Sequence, residues 1–259
     1  MPDFLDTLAL DAMRTVEEGY YDNPMNMNHS PISMRDAILE SERAPIISEI
    51  KFASPSEGRI RSSHDLKGYA SEMVEGGAIG VSILTEPKHF KGHIDNLAKV
   101  RGVLSIPTLM KDIILRKMQI DAASRIGADA VLLIKALFDR GYSEKNIQYM
   151  INYTHSRGLD VLLEVHTEEE FLSALETSAD MIGINNRDLS TLEVDLSVTK
   201  RILTEYSPEY GVFVSESGIN TPEDIRLLRA CGVQGFLIGT AIMKADNIRE
   251  KVKELVEAL

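Results

Sequence analysis

The chain has 259 residues, enough to bury one large core, and its 44% apolar and 26% charged content is that of a globular protein. A net charge of −12 argues against a general affinity for nucleic acid or an anionic membrane surface. One cysteine, Cys231, excludes an internal disulfide; no signal peptide and no apolar run long enough to cross a membrane is found, so a reduced, cytoplasmic setting is expected. There is no tryptophan.

Residues 1–44 read as an extension. Leu5, Leu8, Ala12 and Val16 fall at helical spacing, Asn23-Pro24 breaks the pattern, and Ser33 with Asp36 reads as a capping box for a second short helix. The extension is too short for its own core and is expected to act as a lid or plug over one end of the domain formed by the rest of the chain. From residue 46, eight short apolar runs alternate with helical stretches: Ile46–Lys51, Gly80–Thr85, Pro107–Lys111, Ala130–Lys135, Asp160–Val165, Met181–Asn185, Val212–Glu216 and Gly235–Gly239. Nearly continuous Ile, Leu, Val and Ala is the texture of parallel strands covered on both faces. Helices are expected over Asp65–Gly76, over Ile113–Gly127 and from Thr221-Pro222, where a threonine cap, a proline and two acids open the turn, to about Cys231-Gly232. A recurring unit of helix, Gly, Ala or Val and apolar run appears at Gly76-Gly77-Ala78, Gly127-Ala128-Asp129 and Gly232-Val233-Gln234, with Ser178-Ala179-Asp180 as a variant. The prediction is α/β: a single (β/α)8 barrel over residues 1–259 with residues 1–44 as a helical extension packed on it. An open doubly wound sheet usually shows a Gly-rich loop after its first strand; no G-x-G-x-x-G or Walker-type loop occurs here.

Barrel active sites are built at the C-terminal ends of the strands. Those ends carry Glu49 and Lys51, Thr85-Glu86, Lys111, Lys135, Glu164, Asn185 and Arg187, Glu216-Ser217-Gly218, and Gly239-Thr240. Side chains alternate faces along a strand, so Glu49 and Lys51 point the same way. Likewise Leu109 leads to Lys111, Leu162 to Glu164, Gly183 to Asn185 and Val214 to Glu216, each polar group continuing an inward apolar row. Small residues after the last two runs can bring backbone N–H groups to a phosphate. An acidic protein that places Lys51, Lys111 and Arg187 around such a cradle should take an anionic substrate.

Plainer readings stand beside these. The charges could form only a structural ion-pair network, and Gly218 and Gly239 only tight turns. His166 is read as facing the helix layer or solvent, and so as no base. His64, His89 and His93 lack metal-ligand spacing, and Cys231 reads as inert packing at a helix end.

Taken together these residues resemble the indole-3-glycerol phosphate synthase family of (β/α)8 barrels, from about residue 34 onward. The carriers are Ser48-Glu49-Ile50-Lys51 with Ser54-Pro55-Ser56 and Gly58; Leu84-Thr85-Glu86 with Phe90-Lys91-Gly92; Pro107-Thr108-Leu109-Met110-Lys111-Asp112; Leu163-Glu164-Val165-His166; Gly183-Ile184-Asn185-Asn186-Arg187-Asp188-Leu189; Ser215-Glu216-Ser217-Gly218-Ile219; and Phe236-Leu237-Ile238-Gly239. Ile113 departs from the phenylalanine the family often has there; Phe90 remains for the aromatic wall.

The resemblance implies a carbon–carbon lyase of tryptophan biosynthesis, converting 1-(2-carboxyphenylamino)-1-deoxyribulose 5-phosphate to indole-3-glycerol phosphate, carbon dioxide and water, with no metal or organic cofactor. It implies Lys111 as general acid, with neighbouring cations expected to lower its pKa. Lys51 should hold the substrate carboxylate and is also a candidate for the acid when hydroxide leaves. Glu164 is the implied base of the dehydration. Glu49 should orient Lys51, and Asn185 and Glu216 should fix the sugar part and the lysine geometry. Ser54, Ser217, Gly218, Gly239 and Thr240 should hold the phosphate with Arg187 nearby, and Phe90 and Leu237 should form the slot for the aromatic ring. Other enzymes of the same pathway are the protein partners the resemblance admits.

Two rival readings fit less well. A sister barrel that isomerises a phosphoribosyl aminoketose needs one acid and one base, not two inward lysines and three inward glutamates. A silent barrel kept as a scaffold would have lost Lys111, Glu164 or the Ser-Gly turn, and all are intact. Nor is there room for a fused second barrel.

Overall fold

The apolar runs become parallel strands, each within one residue of its expected bounds: β1 Ile46–Ile50, β2 Gly80–Leu84, β3 Thr108–Lys111, β4 Ala130–Ile134, β5 Asp160–Val165, β6 Met181–Asn185, β7 Phe213–Glu216 and β8 Gly235–Ile238. The computed structural model describes residues 3–54, 58–61, 65–188, 191–206, 208 and 210–259, with Ser54 and Arg59 described by their backbone alone. Each strand pairs with its sequence neighbours, and β1 closes the ring on β8, Ile47 lying beside Leu237 on one side and Gly80 on the other. The result is the expected (β/α)8 barrel. Ala53–Ser54 and Gly58–Arg59 add a small antiparallel pair above β1.

The helices run α1 Phe4–Glu17, α2 Met34–Leu39, α3 Leu66–Glu75, α4 Ile94–Arg101, α5 Lys117–Arg125, α6 Lys135–Asp139, α7 Ile147–His155, α8 Glu168–Leu175, α9 Ser197–Tyr206, α10 Pro222–Ala230, α11 Thr240–Lys244 and α12 Ile248–Val256. None among the described residues is long and apolar enough to cross a membrane. Gly77, Gly127 and Gly232 take left-handed φ just past α3, α5 and α10, turning the chain into the next strand as the recurring unit predicts. One helix is shorter than expected. Residues 113–116 form an irregular segment, because Ile113, Ile114 and Leu115 are all buried there and Gln119 Oε1 accepts from the N–H groups of Leu115 and Arg116.

Two apolar layers result. Outward strand faces pack on the helix ring through residues such as Ile50, Val81, Leu163, Ile184 and Phe236. Inside the barrel lie Ile47, Leu109, Leu132, Leu162, Val214 and Leu237. The strands are buried on both faces, which is why they read as continuous apolar runs.

The extension covers both ends of the barrel, not one. Met34 and Ile38 of α2 join the inner layer at the bottom: a Cβ on Gly80 would meet Met34 Cε at 3.1 Å, and one on Gly235 would meet Ile38 Cδ1 at 3.2 Å. Ser33 caps α2 by accepting from Asp36 N–H, but Asp36 does not return the bond; Ser33 Oγ donates instead to Asp160 Oδ2 at the foot of β5 (3.0 Å). The α1 helix crosses the opposite end. A capping box between Asp3 and Asp6 starts it, and Leu5, Leu8, Ala9 and Ala12 turn its apolar face inward. Arg140 binds Asp3 and Asp6, and His89 Nε2 meets Asp11 at 2.9 Å. Behind α1, Tyr20 donates to the Thr85 carbonyl (3.0 Å) and Tyr21 to Asp112 Oδ2 (2.9 Å). That bond pins the start of the chain to the rim of the mouth.

Candidate active site

A cavity of about 650 Å³ opens at the C-terminal ends of the strands, under α1. Phe4, Leu5 and Leu8 roof one side, and Leu84, Phe90, Ile113, Leu132, Ile134 and Leu237 make an apolar wall. Ile113, at the position where phenylalanine was the alternative, is part of that wall. Glu86 sets the aim of Phe90: its carboxylate accepts from the N–H groups of Lys88 (2.8 Å), His89 (2.7 Å) and Phe90 (2.9 Å).

The floor is a cluster of buried charges. Lys111 Nζ bonds Glu216 Oε2 and stands 3.6 Å from Glu164 Oε2 and 4.0 Å from Glu49 Oε2. Lys51 Nζ lies 2.8 Å from Glu49 Oε1. Each is the last inward residue of its row, or the next inward position beyond it, so the strand period delivers them to one point. Burial alone would push the Lys111 pKa down; Glu216, Glu164 and Glu49 more than offset it and hold it above the ordinary lysine value. The expectation that cations would lower this pKa is therefore overturned: the neighbours of Lys111 are anions. Burial pushes Glu216 up, and Lys111 does not fully reverse it. Glu49 is held below the ordinary carboxylate range because Lys51 and Lys111 outweigh its burial. Glu216 Oε1 is buried without a hydrogen-bond partner among the described residues and lies against Gly183, where a Cβ would meet it at 2.2 Å.

Beyond β7 the backbone turns through two left-handed residues, Ser217 (φ 65°) and Gly218 (φ 85°). Gly218 is needed twice over, since a Cβ there would also strike Val194 Cγ1 at 2.5 Å. Asn186 fastens this turn. Its side-chain N–H groups bond Ser215 Oγ, the Glu216 carbonyl and the Ser217 carbonyl, while its Oδ1 accepts from Thr199. Gly239 leads into α11, whose first turn has no side-chain cap. Arg187 lines the same end and spends one donor on the Leu192 carbonyl (2.8 Å).

The cavity thus gathers Lys111, Glu164, Lys51, Glu49, Asn185, Glu216, Arg187, Ser217, Gly218, Gly239, Thr240, Phe90 and Leu237. The Ser54 side chain, residues 55–57, His64 and Leu189 lie outside the described residues. Two strand-end positions do not join. Lys135 opens α6 and pairs with Asp139, and Thr85 turns to Asp112. Asp112 does line the cavity; burial lifts its pKa to about 6, against the bonds from Thr85, Ile113 N–H and Tyr21.

His166 overturns its expectation. It neither faces solvent nor stands apart: its side chain is 11% exposed, and Nε2 approaches Glu164 Oε1 to 3.1 Å. His166 is two residues beyond Glu164 and shares its face, so the register already held the signal. Glu164 loses affinity for a proton through His166 and then Lys111, which together outweigh its burial. Among the described residues, no group of three or more His, Cys, Asp or Glu side chains is arranged to hold a metal ion.

The sequence model of the indole-3-glycerol phosphate synthase family matches residues 8–255. The chain is 47% identical over 214 residues to the indole-3-glycerol phosphate synthase of Methanocaldococcus jannaschii, covering 82% of this chain and 77% of that one. It is 41% identical over 235 residues to the protein of the same name from Dehalococcoides mccartyi strain CBDB1, covering 90% and 88%. Among solved structures, thiamine phosphate pyrophosphorylase from Pyrococcus furiosus superposes with a TM-score of 0.61 at 18% identity, over 87% of this chain and 97% of that one, a likeness of fold alone. A family match that runs from within α1 through the whole ring into α12, with relatives this similar over most of their length, establishes that the chain belongs to the indole-3-glycerol phosphate synthase family, carboxy-lyases of tryptophan biosynthesis.

Proposed function

We propose that the chain closes the indole ring of 1-(2-carboxyphenylamino)-1-deoxyribulose 5-phosphate, releasing carbon dioxide and water. The observation that carries this reading is the position of Lys111: an ammonium ringed by three carboxylates, facing an apolar wall on one side and a small-residue turn on the other. An elongated anion with an aromatic end and a phosphate end matches that order of surfaces.

In this reading the aromatic ring lies against Phe90, Ile113 and Leu237, and the phosphate takes the backbone N–H groups around Ser217, Gly218, Gly239 and Thr240, with Ser54 and Arg187 at the same end. The ring carbon attacks the ketone carbon. The ketone oxygen takes a proton from Lys111, which its carboxylate neighbours keep charged until that oxygen becomes strongly basic. The carboxylate leaves as carbon dioxide and its bonding electrons return to the ring. In the dehydration Glu164 takes a proton from the methylene carbon as hydroxide leaves the adjacent carbon, protonated by a lysine. Lys51, held by Glu49, either binds the substrate carboxylate or serves as that second acid. Glu216 fixes the Lys111 ammonium, and Asn185 beside Glu164 suits the sugar part. Water excluded by α1 and the apolar wall strengthens each of these interactions. The same reading treats residues 1–259 as one barrel unit working in the cytoplasm.

The test is Glu164→Gln. With no tryptophan in the chain, indole product fluorescence rises over a tyrosine background. Loss of a general base should lower kcat by about 10²- to 10⁴-fold with little change in KM. A variant altered only in KM would refute the base assignment.

A further inference from the structure

We propose that His166 is a positioning residue for Glu164, standing as an ion-pair partner beside Oε1 so that Oε2 is the oxygen turned to Lys111 and the reacting atoms. The proposal rests on the reading of Glu164 as the base.

Geometry supports it first. Glu164 lines the main cavity and His166 does not; His166 lines a second cavity of about 480 Å³ that borders the first at Leu5, Asn185, Arg187 and Asp195. Of the groups assigned to the chemistry, the imidazole contacts Glu164. Nε2 stands 3.1 Å from Glu164 Oε1, while Oε2 is the oxygen 3.6 Å from Lys111 Nζ. On the α8 side Nδ1 lies 3.6 Å from Glu170 Oε2, an ion-pair contact longer than a hydrogen bond, and that same oxygen accepts the His166 backbone N–H at 2.8 Å. The backbone of His166 is thus anchored on Glu170, and its ring stands between Glu170 and Glu164, touching both as ion pairs and making no hydrogen bond among the described residues.

Charge supports it second. The floor holds three buried carboxylates, Glu49, Glu164 and Glu216, against two ammonium groups, Lys51 and Lys111. An imidazolium at 166 is the third cation. Burial pushes the His166 pKa down, but Glu164 and Glu170 more than reverse it and lift it to about 9, so the ring is charged at neutral pH. Glu170 is held below the ordinary carboxylate range by the same contact despite its burial. The other charged groups lining the second cavity are Asp3 of α1, Arg140 after α6, Arg187, Asp188, Glu193 and Asp195 between β6 and α9, and Arg201 of α9.

The experiment compares the whole enzyme with His166→Gln, which keeps a donor and loses the charge, and His166→Leu, which loses both. Turnover depends on ionised Glu164, and removing a cation raises the pKa of that carboxyl. The acid limb of the kcat–pH profile should move to higher pH by about 1 to 3 units in both variants. Misplacement of the carboxylate should also lower kcat about tenfold in His166→Gln and about a hundredfold in His166→Leu, with KM little changed. A merely structural histidine would lower stability and leave the limb where it is. A second measurement needs no change at 166: in the unaltered protein one histidine should titrate near pH 9 by NMR, and Glu164→Gln should lower that value. An imidazole already neutral at pH 7, or an acid limb unmoved in folded His166→Gln, overturns the proposal. Glu164→Gln with near-normal kcat would instead remove the base reading beneath it.

Discussion

Gly183, in the middle of β6, leaves the space that the Glu216 carboxylate occupies. A Cβ built there would stand 2.2 Å from Glu216 Oε1 and 3.2 Å from Leu162 Cδ1, where ordinary contact begins at 3.4 Å. The backbone at 183 is not left-handed, so alanine meets no conformational strain and the effect is steric. Neither neighbour can yield outward, since Glu216 is 1% exposed and Leu162 fully buried. In Gly183→Ala the carboxylate must withdraw by roughly 1 Å and carry the Lys111 ammonium with it, a misplacement that costs about a hundredfold in rate. Overpacking of this size costs about 1–3 kcal/mol of stability, so the variant should still fold. The assay is kcat from indole fluorescence beside a urea midpoint. In a Glu216→Gln background, where the same site is already disabled, the alanine should add much less than it costs alone. A folded Gly183→Ala enzyme with kcat within about threefold of the parent would falsify the claim that this pair is held to within an ångström.

Lys111→Met should abolish turnover and also weaken the fold, because it strips the shared cation from Glu216, Glu164 and Glu49; breaking a buried pair in this way costs about 3–5 kcal/mol. The stranded carboxyls would have raised pKa values, so stability is retained where they are protonated and lost as pH rises through those values; the deficit should be larger at pH 8 than at pH 5. Equal urea-midpoint deficits at the two pH values would contradict this. Tyr21→Phe removes the phenol that donates to buried Asp112 and should cost about 1–3 kcal/mol at pH 8. Asp112 already has its pKa lifted to about 6, and losing a donor lifts it further, so the deficit should shrink as the solution is acidified below that value. A deficit that stays constant from pH 5 to pH 8 would show that the phenol bonds Asp112 equally well in both of its protonation states.

The barrel and most of its mouth are legible in the sequence because one rule, alternation along a strand, governs both. Leu109 and Lys111, Leu162 and Glu164, Val214 and Glu216 need only the period of two to land in one place. The features that escape such reading depend on contacts between distant segments. Which end α2 plugs is decided by Met34 meeting Gly80 and Ile38 meeting Gly235, and no local pattern carries that. The surroundings of Lys111 belong to β1, β5 and β7, so the sign of its pKa shift emerges only from the closed ring. Ile113 to Leu115 read as the start of a helix because three apolar residues suit a buried helix as well as a buried irregular segment; Gln119 decides between them. His166 is different, since its register beside Glu164 is present in the sequence and the alternation rule suffices to find it.

Ring closure has a consequence for when the site comes into being. Ile47 lies beside both Gly80 and Leu237. Closing a loop of roughly 190 residues costs only about 1.5 kcal/mol more entropy than closing one of roughly 33, so the final seam is not a thermodynamic burden. Yet it is the closed ring that brings Glu216 of β7 to Lys111 and Glu49, which β2 already holds in one sheet. Until β8 has been made and docked, no half-barrel holds the full charge cluster, and a nascent chain has nothing with which to grip an anion. A ligand that binds this cluster binds only the closed ring, and so draws the assembling chain toward closure in proportion to its concentration over Kd.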